Sequence, residues 1–380
     1  MSPNDQPMIE VGASTLIDGI DEQTDKTGDA TPLTATGTIA FSDADVTDIH
    51  SVPPPTLVSA DWTGGTLPAG NPGVLSFGTV DDANGTVDWT YTVADNALDF
   101  LAEGETLTVT YEVAIADDSG SGNATSATQQ IVVTITGTND QPVIDVGAST
   151  LTGGIDEQTD TTGDTTPLTA TGTVAFTDAD LTDTHSVPTP TFVSADWSGG
   201  EPLAIDPGAL SFDPVSDATG SVDWTYTIAD NAVDFLAEGE TLTVTYEVAI
   251  ADDSGSGNAT SATQQIVVTI TGTNDQPVID VGASTLTDGI DEQTDTTGDA
   301  TPLEATGTVA FTDADLTDIH SVPTPTFVSA DWSGGTLPAG NPGALSFGTV
   351  DDVNGTVDWT YTVNDSALDF LAEGETLTVT

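Results

Sequence analysis

Apolar and polar residues alternate along several short stretches of this chain, and the alternation is clearest within residues 139–273. The stretches 168–176, 222–228, 242–250 and 266–270 each show apolar residues at every second position, with Thr, Asp or Ala between them. A period of two places the apolar side chains on one face of a β-strand. Because no stretch shows a convincing helical period, the pattern predicts a protein built from β-strands.

Three weaker candidate strands complete the pattern. Residues 143–146 form a short apolar run after a proline, residues 209–212 form another, and residues 185–193 are interrupted by prolines, which suits a strand at a sheet edge. Gly, Pro, Asp and Asn clusters separate all these runs. Seven short strands, A to G, in one unit predict an all-β fold, a Greek-key β-sandwich of immunoglobulin-like type.

The whole unit is repeated along the chain. The motif Asn-Asp-Gln-Pro begins at Asn4 and returns at Asn139 and Asn274, which is a spacing of 135 residues, and nearly everything between the copies returns as well. The sequence therefore predicts three tandem sandwiches, at 1–138, 139–273 and 274–380. The third copy lacks the counterparts of half of strand F and all of strand G. We expect it to be only partly ordered or to borrow a strand from another chain, with Trp359 and Tyr361 exposed.

The charge of the chain is extreme and narrows the choice of partners. There are 62 acidic residues against one basic residue, Lys26, so the net charge is −61. Nucleic acids and anionic membranes recruit Lys and Arg, so both are excluded as partners. No stretch is apolar enough for membrane insertion, there is no cysteine, and no secretory signal peptide opens the chain. We expect the chain to be a piece of a longer array, with any export signal or anchor outside it.

Strand parity predicts where the acidic loops meet. In an antiparallel sandwich the A–B and E–F loops lie at one end, the bottom, and the B–C and F–G loops lie at the other end, the top. Head-to-tail stacking then brings the bottom of one repeat and the top of the next to the linker between them. The candidate ligands at these junctions are Glu22, Glu103, Glu105, Asn139, Asp140, Asp178, Asp180, Asp252, Asp253, Glu157, Glu238, Glu240, Asn274, Asp275, Asp313 and Asp315.

Such a convergence of carboxylates favours a bound cation. Like charges about 4 Å apart repel by about 1 kcal/mol in water, and by several times more when they are partly desolvated. Ca²⁺ takes six to eight oxygen ligands from carboxylates, carbonyls and water, whereas Mg²⁺ is less suited to an all-protein cage. The sequence therefore predicts calcium at the junctions. Two alternatives stay open: the acids are turn and capping residues, or they form a diffuse soluble surface.

Three segments of the second copy resemble the VCBS repeat. These are residues 168–180, Leu-Thr-Ala-Thr-Gly-Thr-Val-Ala-Phe-Thr-Asp-Ala-Asp, residues 236–246, and residues 268–277, which end in Asn-Asp-Gln-Pro. That family occurs in very large bacterial surface and secreted proteins, often repeats-in-toxin-type adhesins exported by type I secretion, and its domains are similar to cadherin-like sandwiches. The resemblance implies calcium held by linker Asp and Asn, bottom-loop Glu and a top Asp-x-Asp. The linker here is shorter than that of cadherins, and Glu-Gly-Glu lacks their intervening Arg.

Catalysis finds little support in the sequence. There is one histidine in each copy, His50, His185 and His320, and each follows the acidic B–C loop. A hydrogen bond to a neighbour is the expected role of each histidine, although acids with histidine also suit a transition-metal site. No Ser-His-Asp order, phosphate loop or Cys-His set appears, although paired carboxylates for glycoside hydrolysis stay open among so many acids. Because near-identical tandem copies are an unusual way to build an enzyme, we expect no enzyme.

Repetition favours length, stiffness or avidity. We therefore expect an extracellular bacterial stalk that is stiffened by calcium and presents a distal adhesive domain to a surface or a biofilm matrix. The alternative is a weak glycan- or protein-binding module that acts by avidity through exposed Trp62, Trp197 and Trp332. Trp197 is expected in a loop, whereas Trp224 is expected in the core.

Overall fold

The computed structural model describes residues 4–24, 26–70, 72–159, 161–200, 206–338 and 343–380, and it is almost entirely β-structure. The first repeat contains β1 Met8–Ile9, β2 Ile17–Asp21, β3 Pro32–Ser42, β4 Thr56–Trp62, β5 Val74–Phe77, β6 Thr86–Ala94, β7 Thr106–Val113 and β8 Gln129–Thr136. The second contains β9 Val143–Ile144, β10 Thr152–Asp156, β11 Pro167–Thr177, β12 Thr191–Trp197, β13 Ala209–Phe212, β14 Ser221–Ala229, β15 Thr241–Val248 and β16 Gln264–Thr271. The third contains β17 Val278–Thr285, β18 Pro302–Thr312, β19 Ala330–Trp332, β20 Gly343–Phe347, β21 Thr356–Asn364 and β22 Leu377–Val379.

Each of the first two repeats is a sandwich of two four-stranded sheets. In the second repeat the orders are β9-β11-β14-β13 and β10-β16-β15-β12, and the first repeat has the same topology. In the predicted lettering these are the sheets A-B-E-D and A-G-F-C, the pairing of immunoglobulin-like domains. The all-β fold class is confirmed. Among the described residues, short 3₁₀ turns lie between strands at Val11–Ala13, Asp95–Ala97, Asp230–Ala232 and Asp365–Ala367.

The inner faces of the strands form a separate core in each of these two repeats. Trp89 and Trp224 are each 1% exposed, and the alternating apolar residues of β6, β7, β8 and their counterparts surround them. The indole of Trp224 lies against Gly172, where a Cβ would come within 2.5 Å of the ring, and its N–H donates to the Thr150 carbonyl at 2.8 Å. The core position predicted for Trp224 is therefore confirmed.

Two of the strand predictions need correction. The first strand ends earlier than expected, at Ile144, and the chain then changes sheets: β9 pairs antiparallel with β11, and β10, which was not predicted, pairs parallel with β16. The predicted edge strand at 185–193 lies instead at Thr191–Trp197, paired with β15. Trp197 therefore ends a strand and is half-buried, so its prediction as a loop residue was wrong. The remaining predicted strands agree with the structure to within about two residues at each end.

The third repeat has a complete first sheet, β17-β18-β21-β20, and a second sheet of only β19 and β22 among the described residues. Trp359 is 9% exposed and remains buried, contrary to the expected exposure, and Tyr361 is half-buried. The counterpart of β10 is not a strand here, because a strand at that position pairs with strand G. Whether the third repeat borrows a strand stays a prediction, as do the domain limits.

Candidate metal centre

The linker between the first two repeats is buried and held by carboxylates from both sides. Three successive backbone N–H groups, in residues 138–140, donate to Glu22 at 3.1 Å, Glu103 at 3.2 Å and Asp180 at 2.8 Å, in that order. Glu22 and Glu103 belong to the first repeat and Asp180 belongs to the second. The linker is therefore tied to both of its neighbours through acidic side chains.

Asn139 lies at the centre of this junction and is fully buried. Its side-chain N–H₂ donates to the Asp140 carbonyl at 2.9 Å and to the Asp252 carboxylate at 3.3 Å. Its backbone carbonyl accepts a hydrogen bond from the Asn258 side chain at 2.8 Å. Its Oδ1 has no hydrogen-bond partner in the described part of the chain. A buried amide oxygen without a donor is costly unless a cation satisfies it.

A first cluster, the lower triad, consists of Glu22, Asp99 and Asp140, and one carboxylate oxygen from each lies within 4.8 Å of the others. Glu22 directly follows β2, Asp99 lies in the E–F loop, and Asp140 comes from the linker. Strand parity predicted this meeting of the A–B loop, the E–F loop and the linker. It did not identify Asp99, which follows the 3₁₀ turn Asp95–Ala97 and is oriented by an N–H donated from Gly28 at 2.7 Å.

A second cluster, the upper triad, consists of Asp178, Asp183 and Asp252, whose ligand oxygens also lie within 4.8 Å of one another. Asp178 and Asp183 come from the B–C loop and Asp252 comes from the F–G loop, as parity predicted for the top of a repeat. Asp180 lies beside them and is 3% exposed. Asp183 was not among the candidate ligands predicted from the sequence.

Burial and mutual repulsion make these carboxyl groups weak acids. Burial is the main cause that raises the pKa of Glu22 to about 9, and the neighbouring Asp140, Asp180 and Asp99 add to it. Burial likewise raises the pKa of Asp180 to about 8 and that of Asp183 to about 6. Asp180 Oδ1 and Asp183 Oδ2 are buried without a hydrogen bond in the described part of the chain. The junction therefore concentrates acidic groups whose negative charge a bound cation would offset.

The lower half of the junction between the second and third repeats follows the same plan. Glu157, Asp234 and Asp275 form its lower triad, and the Asp275 N–H donates to Asp315 at 2.8 Å. The Asn274 side chain donates to the Asp275 carbonyl at 2.6 Å. Burial raises the pKa of Glu157 to about 8 and that of Asp315 to about 6. The arrangement is thus a property of the repeat and not of one junction.

The top of the first repeat carries the upper half of the site alone. Asp43, Asp48 and Asp117 form a triad equivalent to the upper one, and the Asn4 side chain donates to Asp117 at 3.1 Å. Asp5, the counterpart of Asp140, is exposed, whereas Asp140 is 3% exposed. The stacking of two repeats is therefore what buries the linker acid.

Several predicted ligands lie outside the triads. Glu105 and Glu240 accept hydrogen bonds from the indoles of Trp62 at 2.8 Å and Trp197 at 3.0 Å. Asp253 accepts a hydrogen bond from the Thr184 N–H at 2.9 Å, and Glu103 accepts one from the Asn139 N–H. Asp313 pairs with His320 at 2.7 Å, and Glu238 is exposed.

Each histidine bridges two carboxylates, which confirms the expected hydrogen-bonding role. His185 Nε2 lies 2.9 Å from Asp178 and its Nδ1 lies 2.9 Å from Asp217, while the ring packs on Phe176 at 4.7 Å. Burial alone lowers the pKa of His185, but the hydrogen bonds to Asp178 and Asp217 outweigh it and raise the pKa to about 8. The imidazolium form donates from both nitrogens and offsets part of the charge of the upper triad.

The candidate metal ligands at the junction are all oxygen atoms, from carboxylates and one amide. Such a donor set suits a hard cation such as Ca²⁺ and does not suit the softer metals that prefer nitrogen or sulfur. Six carboxylates in two triads, with Asp180 and the amide oxygen of Asn139, exceed the six to eight ligands of one calcium ion once bidentate carboxylates and water are included. The junction therefore has the donors for more than one ion.

No protein-family model and no curated protein matches this chain. Among solved structures, Drosophila N-cadherin EC1-4 is similar at 14% identity with a TM-score of 0.23, over 99% of this chain and 72% of that one. The CupB6 tip adhesin from Pseudomonas aeruginosa is similar at 11% identity with a TM-score of 0.22, over 71% of this chain and 97% of that one. At these scores neither structure supports a conclusion about function, and the resemblance to the VCBS repeat stays a prediction.

Proposed function

We propose that this chain is a stalk segment of an extracellular adhesin, in which calcium at the junctions holds successive β-sandwiches in a stiff row. The observation that carries the proposal is the buried linker pair Asn139–Asp140: Asp140 completes a triad with two acids of the first repeat, and Asn139 donates to Asp252 in the triad of the second repeat. A cation there would neutralise groups that otherwise repel, and it would connect both repeats to the linker. Stiffness in such an array then depends on the ion.

The proposed ligands at the first junction fall into two sets. Glu22, Asp99 and Asp140 would hold an ion at the base of the first repeat, and Asp178, Asp183 and Asp252 would hold one at the top of the second. Asp180 and Asn139 lie between the two sets and offer buried oxygens that have no hydrogen bond in the described part of the chain. The ion itself would supply only positive charge and coordination.

The wider setting is also part of the proposal. The VCBS-like motifs support a bacterial surface or secreted protein, in which this segment extends an adhesive domain towards a glycan, a protein or a biofilm matrix. The partners of the segment itself are calcium ions and its neighbouring repeats, and neither an enzymatic role nor nucleic acid is part of it. No helix in the described residues is long and apolar enough to span a bilayer.

Calcium titration of the chain tests the proposal directly. Small-angle scattering and thermal unfolding would be followed from excess chelator to about 10 mM calcium, because extracellular sites bind at about 10⁻⁴–10⁻³ M. We expect a longer, narrower distribution of dimensions and a higher Tm in calcium. Sodium chloride at matched ionic strength is the control for diffuse screening. Equal profiles in chelator, calcium and sodium would refute the stalk mechanism.

The glycan-binding alternative depended on exposed tryptophans, and the structure does not provide them. Trp62, Trp197 and Trp332 are half-buried, and each indole N–H donates to a glutamate of its own repeat, at 2.8, 3.0 and 3.1 Å. A ring with these partners is poorly placed to stack on a sugar. No specific observation in the described residues favours that second function.

A further inference from the structure

A chain of hydrogen bonds crosses the first junction beside the triads. The indole N–H of Trp62 donates to Glu105 Oε2 at 2.8 Å, and the hydroxyl of Thr182 donates to Glu105 Oε1 at 2.9 Å. Trp62 and Glu105 belong to the first repeat and Thr182 belongs to the second. Both oxygens of this carboxylate are therefore occupied by neutral donors, one from each repeat.

The second junction contains the same chain of hydrogen bonds. Trp197 donates to Glu240 Oε2 at 3.0 Å, and Thr317 of the third repeat donates to Glu240 Oε1 at 2.7 Å. Each distance is within the range of a well-formed hydrogen bond. The repetition shows that the contact follows from the repeat sequence and is not peculiar to one interface.

The Trp–Glu hydrogen bond, which lies within one repeat, forms without a neighbouring repeat. In the third repeat Glu375 accepts hydrogen bonds from Trp332 at 3.1 Å and from the Ala372 N–H at 3.0 Å, although the given sequence contains no counterpart of Thr182 from a further repeat. In the first repeat the ring of Trp62 lies over Gly64, where a Cβ would come within 2.4 Å of it. The glutamate is therefore already oriented before a second repeat docks.

A backbone contact supports the same interface. The N–H of Leu181 approaches the carbonyl of Phe100 at 3.4 Å, and the Phe100 ring packs edge-on against Trp62 at 5.0 Å. Leu181 is 60% exposed, whereas its counterpart Val46, which has no preceding repeat in this chain, is 92% exposed. The B–C loop of the second repeat is therefore partly covered by the base of the first.

We propose that the Trp62–Glu105–Thr182 chain, with its counterpart at the second junction, is a cation-independent contact that orients successive repeats. Glu105 and Glu240 are then positioning residues and not calcium ligands, although their sequence motif had suggested ligation. This proposal rests on the proposed function only for the role of the contact in the array. The hydrogen bonds of the contact themselves need no ion. It holds the repeats near their final angle, so that calcium binds to a junction already assembled.

Distances between the two repeats test this proposal in the intact chain. Because the described chain has no cysteine, Ser76→Cys and Ser211→Cys introduce one exposed spin-label site in each of the first two repeats. Pulsed electron paramagnetic resonance then measures the distribution of inter-repeat distances in chelator and in calcium. The variants are Thr182→Val, which is isosteric and exposed, and Thr47→Val, the equivalent change at the free top of the first repeat.

In chelator we expect Thr182→Val to broaden the distribution and to lower the ratio of docked to undocked populations by about tenfold, the effect of one hydrogen bond to a charged group. Thr47→Val should leave the distribution unchanged. In calcium, Thr182→Val should return to the width of the unmodified chain. Calcium affinity of Glu105→Gln should fall no further than that of Thr182→Val, because both variants weaken the same contact and that carboxylate is not a ligand.

Two results would overturn the proposal. One is a distribution for Thr182→Val in chelator equal to that of Thr47→Val. The other is a calcium affinity of Glu105→Gln tenfold or more below that of Thr182→Val, which would make Glu105 a ligand. A chain that does not respond to calcium at all would refute the proposed function alone, because the decisive comparison of the two threonine variants is made in chelator.

Discussion

Asp140→Asn should have opposite effects on stability in chelator and on the stability added by calcium. In the metal-free chain the change removes one negative charge beside Asp99, in a triad whose burial already keeps Glu22 protonated up to a pH of about 9, so the free energy of unfolding should rise. With calcium present the same change removes a ligand, so the stabilisation added by calcium should fall. A purely structural role for Asp140 would not separate the two conditions in this way.

The structure sets the size of both effects. The triad oxygens lie within 4.8 Å of one another, and charges at that separation repel by about 1 kcal/mol in water and by about 3 kcal/mol at the effective dielectric of a partly buried site. The gain in chelator should lie between these limits. Calcium at about 100 times its Kd stabilises by about 2.7 kcal/mol. Weakening the affinity 10- to 100-fold would remove about 1.3–2.3 kcal/mol of this, or about 4–8 °C in Tm.

Urea and thermal unfolding, each measured with chelator and with 10 mM calcium, would check this prediction. Asp223→Asn removes an equal charge from the outer face of β14, and Asp5→Asn changes the same motif where no preceding repeat buries it. Neither control should change the stabilisation by calcium. If Asp140→Asn destabilises the metal-free chain and leaves the calcium effect intact, the cation site is refuted.

Three further outcomes are expected. In chelator, the free energy of unfolding should fall as pH rises from about 5 to 9. The reason is that Glu22 has a pKa of about 9 in the folded chain against 4.5 ordinarily, so the folded chain loses its favoured protonated form over that range. Measuring Tm against pH would show this fall, and calcium should flatten the curve. Lys26→Thr should stabilise the first repeat by about 1–2 kcal/mol in urea unfolding. The reason is that the threonine at this position in the second repeat bonds a buried carboxylate whose counterpart, Asp95, has an unpartnered oxygen among the described residues. Trp224→Ala should cost about 3–5 kcal/mol in the same assay, and a larger cost for Trp197→Ala would contradict the assigned faces.

The sequence alone was enough to predict the strands with strong alternation and the array. Positions such as Trp224 alternate with polar residues because one face of the strand is buried, and that pattern is local. The spacing of the Asn-Asp-Gln-Pro motif showed the repeats. Strand parity then placed the A–B, B–C, E–F and F–G loops at the correct ends, so the convergence of Glu22, Asp140, Asp178 and Asp252 could be predicted without coordinates.

Only the tertiary structure decided which oxygens meet. Alternation shows which side chains are buried but not which edge a strand joins, so the passage of β10 to the other sheet was missed. Among many similar acids, Asp99 and Asp183 entered the triads while Glu105 turned to Trp62 and Thr182, because burial and hydrogen-bond geometry in three dimensions select the partners of a carboxylate. That selection depends on how one repeat stacks on the next, which no local pattern in the sequence records.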